Sequence, residues 1–111
     1  MPATHGNLFA ALPPPGASEA FEPLLEHPRI RVERIVSDRH ASPPGFWYDQ
    51  AHTEWVALIQ GDAVIAFADG RRHTMRAGDW LTIPAHSHHR VESTAPATIW
   101  LAIHIEPETP A

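Results

Sequence analysis

Nine histidines and no cysteine stand in a chain of 111 residues, and three of the nine, His86, His88 and His89, fall within four positions. They follow the run Gly78-Asp79-Trp80-Leu81-Thr82-Ile83-Pro84, which reads as a tight turn, a short apolar strand and a proline that ends it. This arrangement holds imidazoles at the mouth of a β-structure, and neutral imidazole is the commonest protein ligand for transition metals. Alternation from His88 to Glu92 sorts the side chains by face. His88, Arg90 and Glu92 form a polar set facing water, and His89 and Val91 form the inward set. Glu54 shares a face with Val56 and Leu58, so it is also expected inside. A buried carboxylate is costly unless it is paired, hydrogen-bonded or metal-bound. One carboxylate and one imidazole in a common cavity are the minimum for a divalent-metal site. Gln50 offers an amide oxygen as a third ligand, and Tyr48 a phenolic oxygen. His52, His86 and His104 are further possible ligands. His52 lies at a turn two residues before Glu54 and can swing in, whereas the alternation of His104 with Trp100 and Ala102 leaves its facing open. The metal-free alternative is a Glu54–His89 pair inside the cavity with Gln50 hydrogen-bonded to it. His86 and Tyr48 are candidates for acid–base work, and Trp47 and Tyr48 for contact with a substrate near the mouth.

These residues need a scaffold of short strands. From Arg29 onward the pattern is close to period two, with strands expected over 30–37, 54–60, 63–68, 71–75, 80–83, 88–93 and 97–105, and an extended aromatic stretch over 46–50. Ser42-Pro43-Pro44-Gly45, Ala77-Gly78-Asp79 and Asp69-Gly70 are turn signals, and Gln60-Gly61-Asp62 reads as a hairpin. About eight short strands separated by such turns point to an all-β sandwich or small antiparallel barrel. Several strands are apolar on both faces, as where Trp55, Ala57 and Ile59 oppose Val56 and Leu58, so the outer face requires a cover. Residues 1–28 read as a leader, 29–106 as the barrel and 107–111 as a tail. Within the leader, Pro13-Pro14-Pro15-Gly16 makes a stiff loop, and Ser18 caps a short helix reaching Glu26. Phe9, Leu12, Phe21, Leu24 and Leu25 give the leader an apolar side to lay on the barrel.

Two stretches resemble the motifs of the cupin superfamily. Its first motif runs Gly, five residues, His-x-His, three or four residues, Glu, six residues, Gly. Glu54 to Gly61 matches the Glu-to-Gly half, and Tyr48 and Gln50 stand where the His-x-His pair would be. The second motif runs Gly, five residues, Pro-x-Gly, two residues, His, three residues, Asn. Gly78, Pro84 and His89 match it, with His86 in place of the middle glycine and Ser93 in place of the asparagine. The resemblance spans roughly Arg29 to Glu106 and looks like the small single-domain, type-2-like members. It implies a double-stranded β-helix or jelly-roll (RmlC-like) barrel. It also implies a divalent ion (Fe, Mn, Ni or Zn) on His89, Glu54 and Gln50, and hence a metal-dependent enzyme acting on a small polar molecule. The alternative on the same scaffold is a non-catalytic cupin that binds or senses a small ligand without metal.

Composition narrows the partners. The formal charge is -5, every basic residue is an arginine, and the arginines are scattered, so nucleic acid is not expected as a partner. No apolar run is long enough to span a bilayer and no secretory pattern opens the chain, so no membrane partner and a cytoplasmic location are expected. Absence of cysteine excludes disulfides and thiolate chemistry. A homodimer, joined through the apolar outer face around Trp55, Ala57 and Ile59, is the expected assembly.

Overall fold

A computed structural model of the protein describes residues 3–14 and 16–107. The strands are β1 (Ala20–His27), β2 (Ile30–Ser37), β3 (Thr53–Gln60), β4 (Asp62–Phe67), β5 (Arg72–Arg76), β6 (Trp80–Ile83), β7 (His89–Thr94) and β8 (Thr98–Ile105). They form a five-stranded sheet in the order β1-β2-β8-β3-β6 and a three-stranded sheet in the order β5-β4-β7. Every pairing is antiparallel. Late strands slot beside early ones, β8 between β2 and β3, and β7 beside β4. The inner faces of both sheets meet in one core that includes Ile35, Val56, Leu58, Ile65, Met75, Ile83 and Trp100. Each such side chain contributes about 1.5–3 kcal/mol through burial. Trp100 is satisfied inside the core because its indole N–H donates to Ser37 Oγ at 3.1 Å, and the Ser37 hydroxyl in turn donates to Glu19.

The expected N-terminal helix does not form; no helix occurs among the described residues, hence none long and apolar enough to cross a membrane. Residues 20–27 are instead the edge strand β1, paired with β2. Pro23 decides this. Inside a helix it would remove a donor and clash with the preceding turn. On an edge strand it is tolerated, and the register shifts between Pro23 and Leu25, as at a bulge. The sheet therefore begins within the segment read as a leader. Ahead of β1 the chain is held by Arg34, which donates to the carbonyls of Leu8, Ala10 and Ala11 at 3.1, 2.7 and 3.2 Å and to both carboxylate oxygens of Glu22.

Gln60-Gly61-Asp62 is not a hairpin. β3 and β4 lie in different sheets, and β4 pairs with β5 and β7. Gly61 takes φ +94°, and a Cβ placed there would lie 2.4 Å from Thr98 Oγ1 and 2.9 Å from Thr98 Cα. Only glycine lets the chain turn this corner so close to β8. Asp69-Gly70, by contrast, joins the paired strands β4 and β5 as expected. The 46–50 stretch contributes only a single bridge, between Tyr48 and His89.

Candidate functional site

A cavity of about 260 Å³ opens between the two sheets. Its apolar lining comes from Phe21, Ile35, Val56, Ile65, Ile83, Val91 and Trp100. The polar lining comes from Glu19, Arg31, Glu33, Tyr48, Gln50, Glu54, His89 and His104. Glu54 and His104 are directly opposite in the β3–β8 ladder, so both point to the same side.

His89 opens β7 and is 4% exposed. Pro84 ends β6, and the turn that follows closes with Ser87 N–H donating to the Pro84 carbonyl at 3.2 Å. That turn presents the Ser87 carbonyl 2.8 Å from His89 Nδ1. Only an N–H can answer a carbonyl, so Nδ1 carries a proton, and in the neutral ring Nε2 is the acceptor. Tyr48 bridges to His89 through two backbone hydrogen bonds of 2.7 and 3.2 Å, and its ring stacks on the imidazole with centroids 5.3 Å apart. The Tyr48 phenol is pushed up, chiefly by burial and then by the charges of Glu19 and Glu54, and so it stays a neutral donor. Gln50 accepts the His86 backbone N–H at 2.6 Å, which ties its segment to the same turn. Its side-chain Oε1 is buried with no donor among the described residues.

Glu54 is 8% exposed, and no hydrogen bond reaches its carboxyl among the described residues. Burial raises its pKa above the ordinary glutamate value of 4.5, against the opposing pull of His104 and His89. His104 does face inward, but both of its nitrogens are engaged. Nε2 donates to Glu33 Oε1 at 2.7 Å, and Nδ1 lies 2.8 Å from His52 Nε2. His52 is thus turned toward His104, and burial, then His104, lowers its pKa. His86 points away from the cavity, exposed and at φ +61°, with Nδ1 2.8 Å from Asp49 Oδ1. His88 Nε2 meets the other oxygen of the same carboxylate at 3.2 Å. Trp47 is 40% exposed and does not line the cavity.

The sequence profile of the cupin domain matches residues 39–104, more than half of the chain. The protein is a member of the cupin family. No curated protein matches this cupin. Among solved structures it is similar to a protein of Ralstonia eutropha JMP134 that carries the provisional name mannose-6-phosphate isomerase. That match has 47% identity and a TM-score of 0.90, and covers 95% of this chain and 100% of that one. A cupin superfamily protein of Desulfitobacterium hafniense DCB-2 shares the fold at 18% identity and a TM-score of 0.78, over 96% and 94% of the two chains. An RmlC-like cupin of Desulfovibrio desulfuricans does so at 12% identity and a TM-score of 0.73, over 92% and 96%.

In this cupin the donor set suits a transition ion poorly. Of the carboxyl, imidazole and amide groups lining the cavity, only the Glu54 carboxyl, the Gln50 amide oxygen and the His89 Nε2 lack a hydrogen-bond partner among the described residues, since Glu19, Glu33 and His104 are engaged. Among the described residues no three His, Cys, Asp or Glu side chains group so as to hold a metal ion. Sequence reasoning missed three participants. Glu33 shares an inward face with Ile35 and Ser37, a signal hidden because Arg31 occupies the same face. Glu19 was assigned to a helix rather than to the approach to β1. Asp49 gave no signal beyond lying between Tyr48 and Gln50.

Proposed function

We propose that the cavity binds a small molecule and that Glu54 and His89 move a proton on it. One observation carries this reading. Glu54 is a nine-tenths buried residue whose carboxyl has no hydrogen-bond partner among the described residues, in a cavity shared with an imidazole whose Nε2 is unpartnered. Such a carboxyl costs stability and does nothing for the fold. Its raised pKa brings it toward the range useful for general acid–base work. The neutral Tyr48 phenol supplies a donor for developing negative charge. Proton transfer between adjacent carbons is what an aldose–ketose isomerase performs, and the provisional name of the Ralstonia protein supports that reaction class. It does not support a sugar phosphate here: one guanidinium, Arg31, lines the cavity with three carboxylates.

The test is hydrogen exchange. A panel of small α-hydroxy and α-amino ketones is incubated with the enzyme in D2O, and deuterium gain is followed by mass spectrometry. The wild type is expected to label at least one compound. Glu54→Gln and His89→Ala should each slow labelling about 100-fold or more, while His88→Ala stays near wild type. Equal loss from the two histidine variants would contradict the assigned roles.

A second reading keeps a divalent ion on His89, Glu54 and Gln50. The buried Gln50 Oε1 without a donor favours it, and the shortage of imidazoles counts against it. Elemental analysis of untagged protein separates the two: stoichiometric Fe, Mn, Ni or Zn supports the ion, and traces support the metal-free site.

A further inference from the structure

We propose that the ligand is an organic cation, a primary ammonium group on a small apolar body, with its N–H donors received by Glu54 and Gln50. This rests on the reading of the cavity as a small-molecule site and names the class of molecule it takes.

The charges facing the cavity are already matched, with one exception. Glu33 accepts from His104 and lies 3.9 Å from Arg31. Glu19 accepts from the Ser37 hydroxyl. Glu54 alone has neither a hydrogen bond nor an ion pair among the described residues; His104 and His89 act on it only through space. Gln50 Oε1 adds a buried acceptor without a donor, and His89 Nε2 adds a third acceptor. An ammonium group offers three donors and one positive charge, whereas a hydroxyl offers one donor and no charge. Tyr48 and Trp100 line the same cavity, and aromatic faces attract ammonium groups. The remaining apolar lining is Phe21 and the aliphatic Ile35, Val56, Ile65, Ile83 and Val91, which suits an apolar body better than a ring of hydroxyls. An anion finds the opposite environment, since the one lining guanidinium is already beside Glu33. A bare metal ion would leave most of the roughly 260 Å³ unfilled.

The experiment compares three molecules of nearly equal shape, benzylamine, benzyl alcohol and benzoate, by calorimetry and thermal shift on the full chain at pH 7.5. The amine should bind at least tenfold more tightly than either of the others. Glu54→Gln, an isosteric change, should reduce amine affinity tenfold or more, and Gln50→Leu should weaken it as well. Glu26→Gln, an exposed carboxylate on β1, should leave it unchanged. Alcohol or benzoate binding as tightly as the amine would overturn the proposal. So would full amine affinity in Glu54→Gln, or a thermal shift produced by Fe, Mn, Ni or Zn salts but not by the amine. These are binding readouts: absence of deuterium labelling would remove the proton-transfer reading and leave the amine preference standing. Labelling without amine preference would do the reverse.

Discussion

Glu54 sets the site against the fold. Its folded-state pKa is raised by burial, so between 4.5 and that higher value the native state holds a proton that the unfolded chain has lost. Stability therefore falls as pH rises through this window. Glutamine has the same shape and no charge. Glu54→Gln should raise the melting temperature at pH 8, by about 1 kcal/mol or more in stability, and the gain should vanish toward pH 4. Thermal unfolding of both proteins across pH checks the sign. Glu54 and His89 were legible because each shares a two-residue period with apolar neighbours, Val56 and Leu58 in one case and Val91 in the other. His104 was ambiguous for a physical reason: its strand is apolar on both faces, so alternation carries no sign there. What fixes it is Glu33, 71 positions away in sequence, and no local pattern reports that distance.

At the scale of elements, the strands from residue 30 onward follow their hydrophobic period, and the turn residues mark most of their ends. Two failures are instructive. Ser18 followed by Glu19 and Ala20 imitates a helix start, but Pro23 and the open edge of β2 favour a strand. Gln60-Gly61-Asp62 has hairpin chemistry, yet the chain passes to the other sheet, because β8 already occupies the place beside β3. Gly61 is the point of contact. Gly61→Ala would force a left-handed backbone onto alanine and drive its Cβ within 2.4 Å of Thr98 Oγ1. The expected cost is about 2 kcal/mol or more, a fall in melting temperature of roughly 8 °C for a chain this size. Gly70→Ala, with nothing within 4 Å of the new Cβ, carries the backbone strain alone and should cost less. Denaturant unfolding of the pair ranks the two.

For the molecule as a whole, the outer face of the five-stranded sheet decides the assembly. The leader covers one end through Arg34. At the other end Trp80, 62% exposed, stacks on Trp55 with ring centroids 6.1 Å apart, and Ile105 is 42% exposed. We propose that a second copy of the chain covers this strip. Light scattering at micromolar concentration should give a dimer, and Trp80→Glu should give a folded monomer. A wild-type monomer would mean that the strip stays open or is met by another partner. The chemistry of the cavity depends above all on the state of one carboxyl. A carbon-13 NMR titration of the Glu54 side chain, assigned by the signal that Glu54→Gln removes, measures it. The midpoint should lie above 4.5 and move down when benzylamine fills the cavity. A midpoint at or below that value in the free protein would mean that Glu54 is already paired, and the site as described here would not exist.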